Sequence, residues 1–209
     1  MSDHDLRNHL LSTAARLFHQ RGYAAVSLRK IAAEAGVTTG SLYYYFTDKD
    51  EVVFEILESG HRRALVQVSQ AVVALGPTAT RSARLRTAIR AHLAVLFETD
   101  SFPAANIRIF AHVPPHLRIA VRAGRRAYEQ FWIDLLASPD AVGRLQVEPR
   151  QLCRFLLSAA NSTLDWHRAE GASLDEIAEN LSRIFVGGSL GRTPAERNTT
   201  AHAADHKAN

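Results

Sequence analysis

The sequence predicts an all-α protein, with a three-helix unit at the N-terminus and a larger helical domain after it. Along most of the 209 residues, apolar side chains recur at spacings of three and four, the period of an amphipathic helix. No segment shows the strict alternation of a half-buried strand, and the sequence contains no internal repeat or glycine-rich phosphate loop. The chain is 46% hydrophobic and 22% charged, a composition that supports a sizeable buried core.

Two short helices across a tight turn are predicted between Ser27 and Phe46, after a first helix that ends at Gly22. The earlier of the two has one apolar face, made of Leu28, Ile31, Ala32 and Ala35. Ser27 is placed to cap its start, and Gly36 is placed to end it in the left-handed conformation. The first helix would cover the apolar back of this pair.

The second short helix is expected to be capped by Thr38 or Thr39, with Leu42 and Phe46 facing inward. Three consecutive tyrosines follow Leu42, and they cannot all be buried because successive helix positions point about 100° apart. The outer face therefore carries hydroxyls, a glycine and phenols: Thr39, Gly40, Ser41, Tyr43 and Tyr44. This arrangement predicts a helix-turn-helix whose second helix enters the DNA major groove.

The stretch from Ile31 to Lys49 reads I-A-x-x-A-G-V-T-x-G-x-L-Y-x-Y-F-x-x-K. This pattern resembles the DNA-binding domain of TetR-family transcriptional repressors, and the resemblance extends over roughly residues 10–57. It implies a homodimeric, ligand-responsive repressor that binds a palindromic operator. The implied DNA-binding residues are Ser27, Arg29, Thr38, Thr39, Gly40, Ser41, Tyr43, Tyr44, Tyr45 and Lys49.

Two of these residues have a second interpretation. The resemblance implies that Lys49 holds a DNA phosphate, whereas a solvated surface lysine is the alternative. Arg29 is equally consistent with a phosphate contact and with a solvated arginine. The formal charge of +4 permits nucleic-acid binding without requiring it, so the DNA hypothesis depends on the motif.

The rest of the chain predicts six more helices, divided by prolines, glycines and polar clusters. Capping boxes are expected at Asp48 with Glu51 and at Ser173 with Glu176. The helices are predicted over residues 48–74, 84–98, 102–111, 116–137, 151–168 and 173–186. We therefore predict a helix-turn-helix DNA-binding domain over 1–48, a ligand-binding and dimerisation domain over 49–187, and a disordered tail over 188–209.

The last two predicted helices have apolar faces that look too wide to be covered from one side. We expect them to form the dimer interface, because symmetry places two DNA-reading units on two half-sites. The expected interface residues are Leu152, Phe155, Leu156, Ala159, Thr163, Ile177, Leu181 and Ile184.

Four arginines are spaced as one stripe on the predicted helix over 116–137: Arg118, Arg122, Arg125 and Arg126. Such a stripe is either a solvated face or an anchor for an anionic ligand, since guanidinium pairs with phosphate. Aromatic and amide side chains occur nearby and favour a ligand site, although core packing also explains each aromatic singly. The predicted ligand-binding residues are Asn106, Phe110, Arg122, Arg125, Tyr128, Trp132, Asn161 and Trp166.

A narrower resemblance concerns Trp166, Gly171 and Leu174 near the end of the chain. This end of the chain is similar to TetR-family repressors of actinobacterial sterol-ring and fatty-acid catabolism, whose inducers are acyl-CoA thioesters. An acyl-CoA effector is therefore one hypothesis, and an uncharged hydrophobic compound is the alternative. A non-catalytic helical interaction protein remains the competing class of function.

Other functions find little support in the sequence. Cys153 is the single cysteine, which excludes an internal disulfide and is typical of a reducing cytoplasm. His112 and His116 are separated by Pro114-Pro115, which breaks the helix that would align them on a metal. No catalytic constellation or membrane-length apolar run is present, so we expect a cytoplasmic protein without enzymatic activity, metal or cofactor.

Overall fold

The computed structural model describes residues 3–98, 102–137 and 147–187. Across these ranges the chain forms helices and no strand, which confirms the all-α prediction. The helices are α1 (Asp3–Arg21), α2 (Leu28–Glu34), α3 (Thr39–Tyr45), α4 (Lys49–Val73), α5 (Arg81–Leu96), α6 (Phe102–Ile109), α7 (Pro115–Ala120), α8 (Arg122–Leu136), α9 (Pro149–Asn161), α10 (Thr163–Trp166) and α11 (Leu174–Gly187). No helix in the described ranges is long and apolar enough to cross a membrane.

The predicted helix ends are set by local capping. Ser27 accepts a hydrogen bond from the Lys30 amide, and Thr38 accepts one from the Ser41 amide, so Thr38 rather than Thr39 caps α3. Ser173 and Glu176 form the complete capping box of α11, with Ser173 N donating to the Glu176 carboxylate at 2.7 Å. Asp48 caps α4 as predicted, but the Glu51 carboxylate accepts from Thr47 instead.

A first core joins the three N-terminal helices to elements much later in the chain. It contains Leu10, Phe18, Ile31, Leu42 and Phe46 from α1 to α3 and the segment after α3. The first half of α4 and the apolar residues between 102 and 121, in and around α6 and α7, complete it. The first of the N-terminal helices, α1, is thus packed directly on α4 and α6.

A second core fills the C-terminal half of the described chain. It is built from the second half of α4, from α5, and from α8, α9 and α11, with Trp132 fully buried among them. Helix α4 runs from one core to the other. It is therefore the longest continuous connection between the two halves of the protein.

Three predicted helices differ from the observed ones, two by an internal break and one by an earlier start. The helix predicted from His116 to Ala137 is divided at Val121, which turns the chain (φ −88°, ψ 8°) while its side chain is buried in the first core. The helix predicted from Gln151 to Arg168 is interrupted at Ser162, between α9 and α10. Helix α5 begins three residues earlier than predicted, because Thr80 caps it by accepting from the Ala83 amide.

Candidate functional site

Helices α2 and α3 form the predicted helix-turn-helix. Gly36 adopts φ +72° in the turn, a conformation that residues with a Cβ resist, and Val37 N donates to the Ala32 carbonyl at 3.0 Å. Leu42 and Phe46 are buried, which fixes the inner face of α3 against the first core. The opposite face of α3 is thereby turned to solvent.

The outward face of α3, which we call the recognition surface, carries Thr39, Gly40, Ser41, Tyr43 and Tyr44. Tyr44 is 75% exposed and Tyr43 is 54% exposed. Gly40 has a negative φ, and a Cβ built on it would meet only the Thr38 hydroxyl at 3.8 Å, an ordinary contact. The protomer itself therefore requires neither the absence of a side chain at Gly40 nor an exposed aromatic ring at Tyr44.

The neighbouring predicted DNA-binding residues have different environments. Ser27 and Arg29 are exposed near the start of α2, and Thr38 is exposed while its hydroxyl caps α3. The Tyr45 hydroxyl donates to Asp3 on α1, and its half-buried ring packs against the first core. Tyr45 is therefore tied to α1, unlike the exposed Tyr43 and Tyr44, and its role at DNA stays a prediction.

Lys49 is partly buried at the start of α4. Its Nζ donates to the Tyr23 carbonyl at 2.6 Å and lies 3.8 Å from the centre of the Tyr23 ring. Burial lowers the pKa of this ammonium, and the neighbouring Asp50 partly opposes that shift. The cation is thus fixed in position beside the N-terminal end of α4.

A cavity of about 340 Å³ lies among α4, α5, α6, α8 and α9. This central cavity is of the size that small organic ligands occupy. Its wall combines apolar, amide, imidazole and guanidinium groups. The lining residues are Gly60, His61, Ala64, His92, Pro103, Asn106, Ile107, Phe110, Arg125, Tyr128, Glu129, Ile133, Arg150, Cys153, Arg154, Leu157, Ser158 and Asn161.

A hydrogen-bonded chain crosses one wall of the cavity through His92 on α5. Burial lowers the pKa of His92 to about 4, so the ring is neutral at pH 7. Its Nε2 lies 2.9 Å from the Asn161 Oδ1, an acceptor, so Nε2 carries the proton. His92 Nδ1 then accepts from the Tyr128 hydroxyl at 2.7 Å. Burial also raises the pKa of Tyr128, which keeps the hydroxyl protonated as a donor.

A second polar cluster joins α4 to α6. The buried Asn106 Nδ2 donates to the Leu57 carbonyl at 3.0 Å and lies 3.2 Å from the His61 Nε2. Burial, the largest cause, together with the nearby Arg125 guanidinium, lowers the pKa of His61 to about 4. Next to this cluster, the two helices approach so closely at Gly60 that an added Cβ would lie 3.0 Å from the Phe102 carbonyl oxygen.

Three arginines lie on the cavity lining, and all three are exposed: Arg125, Arg150 and Arg154. Arg125 donates to Glu129 at 2.8 Å, and its guanidinium lies 4.9 Å from the centre of the Phe110 ring. Arg126 extends the basic surface beside Arg150. Within the cavity lining, Glu129 is the single carboxylate, so the exposed part of the lining is positively charged.

Five of the eight predicted ligand-binding residues line the central cavity: Asn106, Phe110, Arg125, Tyr128 and Asn161. Trp132 does not, because it is fully buried in the second core beside Tyr128 and His92. Trp166 is 52% exposed on α10 and donates to the Ser162 hydroxyl, outside the cavity. Arg122 is exposed on the first turn of α8, one turn before the cavity wall. The full burial of Trp132 corrects its assignment, whereas the ligand-binding roles of Trp166 and Arg122 stay predictions.

The sequence prediction missed several cavity residues, chiefly His61, His92, Arg150 and Arg154. Both histidines lie on inward faces of predicted helices, where an ionisable group is unusual. Their occurrence there is the sequence feature that could have identified them. Arg150 and Arg154 are four residues apart at the start of α9, which indicated a basic face but not its neighbour. Only the packing of α9 on α8 brings them to the cavity.

Four of the predicted dimer residues are buried within the protomer: Leu152, Leu156, Thr163 and Ile177. They fill the second core or its edge and have no surface to offer a partner, which corrects their assignment. Ala159 and Leu181 are half-buried. Phe155 and Ile184 are 52% and 62% exposed, so these two apolar side chains on α9 and α11 face solvent in the isolated chain.

Residues 10–56 match the model "Bacterial regulatory proteins, tetR family", and residues 78–189 match the model "Tetracyclin repressor-like, C-terminal domain". The chain is similar to the HTH-type transcriptional repressor KstR2 of Rhodococcus jostii, with 27% identity over 190 residues, covering 87% of this chain and 90% of the relative. KstR2 of Mycobacterium tuberculosis is 26% identical over 194 residues, covering 87% and 92%.

A solved structure shares the fold along most of the chain. AibR in complex with isovaleryl coenzyme A and operator DNA matches with a TM-score of 0.70 and 25% identity, covering 86% of this chain and 97% of that one. The C-terminal family model alone spans more than half of the 209 residues. Both halves of the chain, the helix-turn-helix and the helical domain with its cavity, therefore match one family. The chain belongs to the TetR family of helix-turn-helix transcriptional repressors.

Proposed function

We propose that this repressor binds a palindromic operator as a homodimer and releases it when an acyl-CoA thioester occupies the central cavity. The observation that carries the DNA part is the recognition surface. Gly40 and Tyr44 contribute little that the fold needs, yet they stand where a major groove would meet α3. Gly40 lets the backbone approach DNA closely, and Tyr44 offers a ring to thymine methyls and a hydroxyl to phosphates.

Lys49 complements this surface as a phosphate contact. Its position beside the N-terminus of α4 combines a cation with the positive end of a helix dipole. The hydrogen bond to the Tyr23 carbonyl uses one of its three donors and leaves two for an anion. Phosphate contacts of this kind fix orientation on DNA and carry no sequence information.

The dimer is formed through α9 and α11. The exposed apolar side chains Phe155 and Ile184 are the anchors, flanked by the half-buried Ala159 and Leu181. A second copy would remove these side chains from water, which favours association in proportion to the apolar area buried. The dimer then places two recognition surfaces on successive turns of one face of the DNA.

The effector site and the DNA-binding unit share α6. One face of this helix supplies Phe102, Ala105 and Ile109 to the first core, while Asn106 and Phe110, the residue directly after the helix, line the cavity. A ligand that displaces Asn106 or Phe110 therefore acts on the helix against which α1 of the DNA-binding unit packs. Release of DNA requires that the ligand bind one arrangement of the dimer better than the other.

The acyl-CoA class is supported by the composition of the cavity and by AibR, which was solved with isovaleryl coenzyme A and operator DNA. The apolar groups Ile107, Ile133 and Leu157 suit an acyl chain, while Arg125, Arg150 and Arg154 suit the phosphates of coenzyme A. An uncharged hydrophobic effector would use the apolar part and leave the arginines without a role.

The DNA part is tested with Tyr44→Ala and Lys49→Ala in a binding titration on the operator. Tyr44→Ala should lower affinity at least about tenfold. Lys49→Ala should weaken binding to all sequences alike and reduce the slope of log affinity against log salt by about one. Helical content should be unchanged in both, and normal operator affinity in both variants would contradict the proposed surface.

The effector part is tested by calorimetry with acyl-CoA thioesters of increasing chain length. Replacing Arg125, Arg150 and Arg154 together with Ala should weaken acyl-CoA binding by about a hundredfold or more, at roughly 1.5 kcal/mol or more for each charged contact that forms. Arg122→Ala is the matched control, because Arg122 is on α8 like Arg125 but outside the cavity. The affinity of this variant for acyl-CoA should stay normal. Binding of an uncharged hydrophobe with no response to any acyl-CoA would favour the alternative effector.

A further inference from the structure

Asn106 on α6 supplies the central cavity with a carbonyl oxygen whose role the proposed function leaves open. The side chain lines the cavity and is only 6% exposed. Four residues later, the Phe110 ring lies beneath the Arg125 guanidinium, 4.9 Å from the ring centre. The next residue after Asn106, Ile107, belongs to the apolar part of the lining. Asn106 is thus located where the basic and the apolar parts of the cavity wall meet.

The hydrogen bonds of the Asn106 amide group fix its orientation. Nδ2 donates to the Leu57 carbonyl at 3.0 Å and lies 3.2 Å from the His61 Nε2, so both of its protons are directed at α4. His61 is neutral at pH 7, because burial lowers its pKa to about 4, and a neutral ring has a nitrogen that accepts. Exchanging the amide nitrogen and oxygen would set Asn106 Oδ1 against the Leu57 oxygen with no proton between them. The contacts with α4 therefore leave Oδ1 as the free atom of the amide.

The Asn106 Oδ1 accepts no hydrogen bond from the described residues, yet packing does not seal it off. Packing does seal other polar atoms of this region, including His61 Nδ1 and Trp132 Nε1, whereas Asn106 Oδ1 keeps accessible surface. Because Asn106 is otherwise buried and lines the cavity, that surface faces the cavity. An apolar group placed there would leave the oxygen without a donor, at a cost in free energy that an N–H or O–H group would avoid. The cavity wall therefore selects a ligand that carries a hydrogen-bond donor at this point.

We propose that Asn106 Oδ1 accepts a hydrogen bond from an amide N–H of the effector. In an acyl-CoA, amide N–H groups lie in the arm that joins the phosphates to the thioester, as Asn106 lies between Arg125 and the apolar wall. The inference rests on the proposed effector class for the identity of this donor. It adds the amide arm to the phosphates and the acyl chain as a part of the ligand that the cavity recognises.

The test compares hexanoyl-CoA with analogues in which an ester oxygen replaces one amide N–H of the arm, made separately for each amide. This replacement keeps the shape of the arm, removes the donor and sets a second oxygen against Asn106 Oδ1. In calorimetry, the wild type should bind one of these analogues at least about fivefold more weakly than hexanoyl-CoA, the value of one hydrogen bond. Equal affinity for all of these ligands would overturn the inference.

Asn106→Leu removes the acceptor with little change in side-chain shape. This variant should bind hexanoyl-CoA and the weaker analogue within about twofold of each other, because no oxygen then distinguishes an N–H from an ester. Asn161→Leu is the matched change at the other asparagine of the lining. It should keep the wild-type preference, since the Asn161 Oδ1 already accepts from His92. A preference that persists in Asn106→Leu, or that Asn161→Leu removes equally, would overturn the inference.

A spectroscopic measurement on the wild type covers the case in which Asn106→Leu does not fold. In protein labelled with ¹³C at the asparagine Cγ, the Asn106 signal should move downfield when hexanoyl-CoA binds, because the attached oxygen gains a donor. The signal should move less with the weaker ester analogue. The same shift with both ligands, or no shift with either, would contradict the assignment.

The inference and the proposed effector class can fail separately. If no coenzyme A compound binds, the effector class is wrong, and N-hexylacetamide is compared with hexyl acetate, which has an oxygen in place of the N–H. A preference for the amide that disappears in Asn106→Leu would support Asn106 as the acceptor of an N–H without coenzyme A. Equal binding of this second pair, or binding of neither, would overturn the inference too.

Discussion

The recognition surface and the central cavity are built in opposite ways. The recognition surface is made of residues on one short helix, and its exposed residues Tyr44 and Gly40 contribute little to packing. The cavity is made of residues from five helices that are up to 101 positions apart, from Gly60 to Asn161, and several of them are also core residues. A substitution on the recognition surface can therefore remove function without affecting the fold. Most substitutions in the central cavity affect both function and fold.

The largest expected effect comes from substitutions on α9, where a core residue and a proposed interface residue are neighbours in the sequence. Leu156→Glu should unfold the protomer, with a loss of at least about 4 kcal/mol, because it would bury an unpaired charge in the second core. Phe155→Glu, one position away, should keep the fold and disrupt the dimer, because Phe155 is exposed in the protomer. Thermal unfolding and sedimentation measure the two outcomes.

Ile184→Glu is the matched variant on α11 and should behave as Phe155→Glu does. Two folded variants that remain dimeric would exclude α9 and α11 as the interface. A folded, monomeric Leu156→Glu would show instead that Leu156 is not part of the core.

A smaller effect is expected from pH, and it concerns the cavity wall. Unfolded His92 titrates near 6.5, but burial lowers its pKa to about 4 in the folded state, so the unfolded state binds more protons between these values. Stability should therefore be constant above pH 6.5 and fall as the pH drops, by about 2 kcal/mol from His92 alone at pH 5. His61 acts in the same direction with a similar pKa.

Chemical denaturation between pH 7.5 and pH 5 measures this slope. Glu176 and Glu179 titrate below this window, because hydrogen bonds lower the pKa of both carboxylates from 4.5. His92→Gln should remove roughly half of the slope, since two histidines contribute about equally. A stability that does not change across the window would contradict the buried, neutral state of both rings.

On the recognition surface, a substitution at Gly40 should change operator binding without lowering the stability of the fold. Gly40→Ala should weaken operator binding about tenfold, or about 1.4 kcal/mol, because a methyl group would stand between α3 and DNA. Its thermal stability should be equal or slightly higher, since alanine favours a helix more than glycine does. Reduced stability together with normal DNA binding would show that the fold of the protomer, and not contact with DNA, requires glycine at this position.

The smallest effect is expected at Tyr45, next to Tyr44. Tyr45→Phe removes the hydroxyl that donates to Asp3 and should leave operator affinity within about twofold, a change below one lost hydrogen bond. Tyr44→Phe is the comparison, and it should weaken binding measurably if its hydroxyl contacts a phosphate. A larger loss from Tyr45→Phe than from Tyr44→Phe would support a DNA contact by Tyr45.

The sequence by itself determined the elements whose cause is local. Caps such as Ser27 and Thr38, the turn at Gly36 and the inward pair Leu42 and Phe46 depend on residues three or four positions apart, so the spacing predicts them. The helix-turn-helix is made entirely of such features. Near the cavity, Asn106, Arg125 and Asn161 could also be named, because their types suit a ligand, whereas Arg150 and Arg154 could not.

Only the tertiary structure decided which face of each later helix is buried, and against what. Leu156 and Phe155 have similar hydrophobicity, and nothing in their order predicts that one is 0% and the other 52% exposed. The break at Val121 depends on its burial among residues of the first core, and His61 meets Asn106 across 45 positions. Such contacts depend on the packing of whole helices on one another, which local spacing does not specify.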